Sequence, residues 1–246
     1  MKFNSRHLTS LKPMAGVGVS SAILLSLCAC QPVVPSARYF PLESGHAWTY
    51  SVTTEFENQK TERETLVLRN RGKEDLADAA AWHRQSSTGM NYWLRQDETG
   101  IYRVASRPEL QEQYQVDAPH RYVLKEPLIA GTQWQASTTA YILHRPNDFP
   151  REIRHSHPVI PMLYTLEAVK QSIETTAGHF DDCLRVRGVG AVRLFVDPVM
   201  GWKDMPLKTR EWYCSGVGLV KLVREEPAGS SFLGGGTMTL ELKEWK

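Results

Sequence analysis

The feature that most constrains this chain is a period of two. From Trp48 to Glu57, one side reads Trp48, Tyr50, Val52, Thr54, Phe56 and the other Thr49, Ser51, Thr53, Glu55, Glu57. Successive side chains of a strand point to opposite faces, so this run is a half-buried strand with a wet face. The same pattern returns in Thr61 to Arg69 around Leu66 and Leu68, in Met90, Tyr92 and Leu94, and in Thr237 to Trp245. There Met238, Leu240 and Leu242 alternate with Thr239, Glu241 and Lys243. Asp97-Glu98-Thr99-Gly100 reads as a hairpin turn into Ile101 to Val104, and Gly234-Gly235-Gly236 as the turn before the last strand. A Gly188-Val189-Gly190 break is expected between Leu184–Val186 and Ala191–Val196, and one long strand over Trp212 to Val223, bent at Gly216 and Gly218. Helix is expected only at Glu74 to Trp82 and, weakly, at Glu167 to Ile173. His144 to Pro161 holds four prolines and reads as a loop. The fold class is all-β, mostly antiparallel, with little helix outside the leader.

The leader sets the compartment. Lys2, Arg6 and Lys12 form a basic start, and Met14 to Leu27 is a mostly apolar run. Fourteen residues span roughly 21 Å of helix, short of a ~30 Å hydrocarbon core, so the run reads as an export signal. Leu27-Cys28-Ala29-Cys30 ends it. An ordinary secretory signal cut here is the plainer alternative. The three leader cations also account for the positive balance: overall there are 29 Lys and Arg against 27 Asp and Glu. The remaining chain has no basic stripe of the kind nucleic-acid binding requires.

Two cysteines remain in the body, Cys183 and Cys214. In an oxidising envelope compartment such a leftover couple reads as a pair. The loop they would close holds about 32 residues, worth roughly 3–4 kcal/mol by chain entropy. Both lie in or beside strand-like runs, and neighbouring antiparallel strands fall within disulfide range.

One motif occurs twice. Pro41-Leu42-Glu43-Ser44-Gly45-His46-Ala47-Trp48 and Pro127-Leu128-Ile129-Ala130-Gly131-Thr132-Gln133-Trp134 both spell P-L-x-x-G-x-x-W. In each, the glycine permits a positive φ at a turn and the tryptophan opens a strand. Trp48, Tyr50 and Trp134 are therefore expected inside, close to one another's strands. They serve there either as core plugs or as the lining of a ligand cavity.

Leu27-Cys28-Ala29-Cys30 resembles the lipobox of bacterial lipoproteins. The resemblance implies a signal peptide over 1–29, Cys30 as the acylated (palmitate-bearing) first residue, and a tether over 30–38. Cys28 is a rival acceptor, but the large Leu27 precedes it. Gln31 rather than Asp after the acceptor implies sorting to the outer membrane. Tyr39-Phe40-Pro41-Leu42, Gly45 and Trp48-Thr49-Tyr50 resemble the opening of a diffuse group of bacterial lipoproteins. Ala177-Gly178-His179-Phe180-Asp181-Asp182-Cys183-Leu184 and Trp212-Tyr213-Cys214-Ser215-Gly216-Val217-Gly218-Leu219-Val220-Lys221 resemble strands of the same group. That group is similar to LolA/LolB-like folds. The implied architecture is a single curled sheet or incomplete β-barrel over 39–246, wrapped round an apolar cavity.

No catalytic constellation is legible: Gly-x-Ser-x-Gly, P-loop and His-Glu-x-x-His patterns are all missing from the sequence. His155-Ser156-His157, with His144 upstream, is the best metal candidate, but Arg151 and Arg154 flank it. It reads as a solvated loop, with no metal and no cofactor expected. Asp181-Asp182 points to opposite faces of a strand and reads as polar surface. The expected protein is a non-enzymatic lipoprotein facing the periplasm. Its membrane contact is the N-terminal lipid, and its ligand is apolar or a lipid held in the curled sheet. A scaffold that binds an envelope protein partner is the alternative.

Overall fold

The computed structural model describes residues 35–76, 79–143, 159–196, 198–230 and 232–246. The alternation becomes one antiparallel sheet of twelve strands. They are β1 (Ala47–Phe56), β2 (Thr61–Leu76), β3 (Ala79–Ser86), β4 (Met90–Asp97), β5 (Gly100–Pro108), β6 (Gln115–Lys125), β7 (Gln133–Thr138), β8 (Ile160–Thr175), β9 (Gly178–Phe195), β10 (Trp202–Cys214), β11 (Gly218–Glu226) and β12 (Gly236–Trp245). The sheet order is β6-β5-β4-β3-β2-β1-β12-β11-β10-β9-β8-β7, an up-and-down meander in which β1 pairs with β12. An open sheet would leave two unpaired edges exposed to solvent. Here β6 and β7 come side by side, and Arg121 Nε donates to Ser137 O at 2.8 Å across the seam. The sheet is nearly closed into a barrel.

The repeated motif has a topological meaning. Its two copies lead into β1 and β7, the first strands of two six-stranded meanders. Gly45 and Gly131 both have positive φ, 93° and 97°, so each turn uses the freedom that only glycine has without strain.

A short helix, α1 (Pro35–Tyr39), crosses one end of the barrel and touches β5 and β11. Ser36 N donates to Glu126 Oε1 at 2.8 Å, and Gly216 N donates to Arg38 O at 2.7 Å. We call this the near end. The β1–β2, β3–β4, β5–β6, β7–β8, β9–β10 and β11–β12 connections all lie at the far end.

Several local expectations are corrected. Glu74 to Trp82 is not helical: Lys73 pairs with Trp82 and Glu74 with Ala81 across β2 and β3. Nine residues are too few to sustain a helix by propensity, whereas pairing buries Ala81 and Leu76. Glu74 also accepts hydrogen bonds from Trp93 Nε1 (3.1 Å) and meets His83 Nδ1 (2.7 Å). Glu167 to Ile173 belongs to β8. Gly188 and Gly190 do not break the chain but lie within β9. A Cβ at Gly188 would fall 2.5 Å from Thr209 Oγ1, and one at Gly190 would fall 2.5 Å from Met162 Sδ. Glycine is there because neighbouring side chains need the space. Trp212 to Val223 is two strands: β10 ends at Cys214, a turn follows, and β11 begins at Gly218.

Candidate functional site

Large apolar side chains pack into the interior. Leu124, Leu166, Leu184, Val186, Leu207 and Met162 lie in the main cluster, each nearly inaccessible. Charge is buried there as well. Arg84, Glu211, Arg224 and Glu226 are all buried, and Arg121 faces Tyr164, Tyr141, Glu211 and Tyr213. Isolated buried charges are costly, so each must be compensated.

The compensation is specific. Glu226, 0% exposed, accepts from the backbone N–H groups of Tyr141 (3.0 Å), Ile142 (2.7 Å) and Leu143 (2.9 Å), and from Arg224 Nε. Arg224 also donates to Thr138 Oγ1 (3.3 Å), and its guanidinium lies 4.2 Å from the centre of the Tyr141 ring. This pair ties the end of β11 to the chain leaving β7. Tyr213 Oη donates to Glu211 at 2.5 Å; burial and the carboxylate together push the Tyr213 phenol well above its ordinary range. Burial, and then Glu211, push Tyr164 up to about 12. The phenols thus stay neutral at neutral pH.

Among the described residues Arg84 has no carboxylate partner. It donates to Asn70 Oδ1 (2.8 Å) and Pro41 O (2.7 Å) and stacks on Phe40 and Trp48 at 4.1 and 4.6 Å. Burial pulls its pKa down to about 10, so it remains charged at neutral pH. Asn70 Nδ2 donates to Pro41 O and Glu43 O. The first P-L-x-x-G-x-x-W turn is therefore clamped by β2 and β3.

Trp48, Tyr50 and Trp134 are all buried, at 2%, 1% and 4% exposure. They are not brought together. β1 and β7 lie six strands apart in the sheet order, and the indoles belong to different clusters. Trp48 Nε1 donates to Val217 O (2.6 Å) and Tyr50 Oη to Leu219 O (2.8 Å). Trp134 stacks on Tyr164 at 5.8 Å, but its Nε1 has no hydrogen-bond partner, and neither has Thr209 Oγ1.

Cys183 and Cys214 face each other in the β9–β10 register, with Cα atoms 4.0 Å apart and sulfurs at disulfide distance. They pack with Trp48, Tyr50, Val220 and Leu242. Cys183→Ser with Cys214→Ser is expected to cost about 3–4 kcal/mol in chemical unfolding, and dithiothreitol to remove the same increment from the parent protein. An unfolding midpoint unchanged by reductant, with two free thiols in peptide maps, would contradict the pairing.

Cys30, His144, His155 and His157 lie outside the described residues. Among the described residues no group of three or more His, Cys, Asp and Glu could hold a metal ion. His179 Nε2 and Nδ1 meet Asp181 (2.7 Å) and Glu174 (2.6 Å), which raise its pKa. Ser172 donates to Asp181 at 3.1 Å rather than to the imidazole. Asp182 pairs with Arg38 at 3.1 Å, a contact of α1 rather than acid–base chemistry.

Exposed large apolar side chains concentrate at the far end, although Ile129 and Trp245 are exposed at the near end. Leu110 (93% exposed), Val116, Val159, Val199 (95%), Trp202 and Phe232 all belong to four far-end connections, β5–β6, β7–β8, β9–β10 and β11–β12, or to the strand ends beside them. With β6 against β7, these connections are consecutive round the rim. The other two, around Asn58 and Thr88, are polar. Sequence reading missed this arc because its members are scattered over more than 120 residues and share no motif.

Together these observations define a nearly closed, charge-braced antiparallel β-barrel, plugged by a helix at one end and apolar along part of the other rim. No protein-family model matches the sequence, and no curated protein does. Among solved structures, a protein of Parabacteroides distasonis provisionally described as a lipoprotein is 15% identical. The match covers 85% of this chain and 98% of that one, with a TM-score of 0.40. A protein of Bacteroides fragilis, provisionally described as exported and as having a YmcC-like fold, is 14% identical. That match covers 84% and 98%, with a TM-score of 0.37. Similarity at this level carries no function across.

Proposed function

We propose that this chain is a non-catalytic lipoprotein of the bacterial envelope, anchored through Cys30 in the outer membrane, that offers the far rim of its barrel to a protein partner. The observation that carries the reading is the apolar arc on that rim. Large apolar side chains exposed together mark interaction surfaces. Reach decides the kind of occupant. Four residues lie between Cys30 and α1, and the five Cα steps from Cys30 to Pro35 span at most about 18 Å. The rim lies twelve residues up β9 from Cys183, roughly 40 Å from the near end. A barrel standing on its anchor turns the arc away from the bilayer, toward protein.

The test is photo-cross-linking in cells from positions 199, 202 and 232, with 58 as control. One discrete adduct shared by the three arc positions and missing at 58 supports the reading; no adduct, or equal adducts everywhere, overturns it. Cys30→Ser is expected to move the protein from the membrane to the soluble fraction, while Cys28→Ser leaves it in place. The reverse result would make Cys28 the acceptor.

A second reading keeps an apolar or lipid ligand inside the barrel. Its support is the pair of unpartnered buried donors, Trp134 Nε1 and Thr209 Oγ1, on either side of Tyr164. A ligand retained in native mass spectra and lost in Thr209→Val would favour it.

A further inference from the structure

A second surface lies at the near end, where the chain arrives from Cys30. A cavity of about 380 Å³ opens between α1 and the barrel wall, lined by Pro35, Tyr39, Leu128, Val169 and Leu184, with Arg38 and Lys170. Its size is within the range of sites that take small molecules or parts of larger ones, ~300–1,000 Å³. The lining is mostly apolar, and its two charged side chains are both cations.

The wall here is built differently from the rest of the sheet. The β8–β9 ladder shifts register three times, between Leu166 and Ala168, Ala168 and Gln171, and Gln171 and Ile173. Bulges of this kind re-aim side chains and interrupt pairing. Lys170, within the second of those shifts, has φ +53°. Outside glycine that conformation is uncommon and costly, and it recurs where a site demands a particular side-chain placement. Lys170 is exposed, and among the described residues it makes no hydrogen bond or ion pair. Arg38, by contrast, is tied to Asp182 at 3.1 Å, which also accepts from Tyr39 Oη at 3.0 Å. The pocket therefore presents one engaged cation, one free cation and a single carboxylate behind them.

We infer that this near-end cavity seats one anionic phospholipid of the anchoring bilayer, with an acyl segment against Leu128, Val169 and Leu184 and the phosphate at Lys170. The inference rests on the anchor reading above. The four residues between Cys30 and α1 limit the start of α1 to about 18 Å from the lipidated residue, so an apolar cleft with a free ammonium at its lip faces headgroups rather than free solute. Juxtamembrane lysines are attracted to anionic lipid at the surface, and an ammonium on a long apolar stem suits a phosphate above an acyl chain. The contact would also give the barrel an orientation, near end down and apolar rim outward.

The experiment uses the full-length acylated protein in mild detergent. Dioleoyl-phosphatidylglycerol or dioleoyl-phosphatidylcholine is added, and native mass spectra are recorded. One phosphatidylglycerol per chain is expected, with phosphatidylcholine held several-fold less. Lys170→Glu is expected to lower phosphatidylglycerol occupancy about tenfold at an unchanged melting temperature, and Lys170→Arg to restore it. Occupancy unaltered by Lys170→Glu, or equal for the two lipids, overturns the site. Peptide mass mapping of Cys30 on the same sample reads the anchor separately. An unmodified Cys30 with Lys170-dependent lipid would defeat the anchor and keep the pocket; an acylated Cys30 with no Lys170 dependence would do the opposite.

Discussion

Replacing Glu226 by alanine is expected to cost about 3–5 kcal/mol in denaturant unfolding, one of the two largest single-residue effects in the protein. The carboxylate is inaccessible and accepts from three successive backbone N–H groups, at Tyr141, Ile142 and Leu143, as well as from Arg224. Removing it strands three backbone donors and leaves a buried guanidinium without its counter-charge. Breaking one side of a buried ion pair costs that much because the other charge stays desolvated. Arg224 is only 4% exposed and among the described residues has no second carboxylate; it also donates to Thr138 Oγ1 and Thr139 O. Glu226→Gln keeps an acceptor and loses the charge, so it should fall between alanine and the parent. The double variant Arg224→Met, Glu226→Leu should recover much of the loss, because two apolar groups of similar volume leave no buried charge. A Glu226→Ala protein within 1 kcal/mol of the parent would mean that the brace does not hold the β7–β8 crossing to β11.

The second large effect is expected at Trp48. Trp48→Ala should cost about 3–5 kcal/mol, as truncation of a fully buried large aromatic does. The indole packs beside the Cys183–Cys214 pair, stacks on His46 at 5.8 Å and carries the Arg84 guanidinium. Trp134→Ala should cost a similar amount through Tyr164 and the main cluster. The conservative substitution separates the two sites. Trp48→Phe also loses the hydrogen bond to Val217 O and leaves that carbonyl short of a donor, whereas Trp134→Phe loses no hydrogen bond at all. Trp48→Phe should therefore be the more damaging, by about 1 kcal/mol. The two alanine effects should add, since the residues sit on opposite walls and share no partner. A strong coupling between them in a double-mutant cycle would show that the interior is one continuous packing unit rather than separate clusters.

Both predictions rest on features with unequal visibility in the sequence. Trp48 was marked by its motif and by the alternating run that follows, and its partner Val217 lies 169 residues away with nothing local to announce it. Glu226 had no signal. It sits at the end of a strand in a Glu225-Glu226 pair that reads as solvated, and its three donors come from a connection 83 to 85 residues earlier. The pairing of Cys183 with Cys214 was legible because two body cysteines leave one intramolecular combination. The Ala-rich stretch from Glu74 to Trp82 misled because local propensity favours helix there, while the sheet rewards pairing on both sides of β3.

The sequence by itself determined the class. A period of two over most of the body, turn glycines at strand boundaries and scarce helix leave an antiparallel sheet as the way to hide one face of each strand. The basic residues, the apolar run from Met14 to Leu27 and Leu27-Cys28-Ala29-Cys30, on which the expectation of export and acylation rests, were legible as well, because short motifs are read within a few residues. Tertiary structure alone decided the rest. Closure depends on β6 reaching β7 and β1 reaching β12, contacts whose register no local pattern encodes. The interior arginines and glutamates look like ordinary surface charges until the sheet curls and turns them inward. The apolar rim and the Lys170 pocket are assembled from residues far apart in the chain. Their meaning comes from which end of the barrel they share, and strand direction settles that only once all twelve strands are in place.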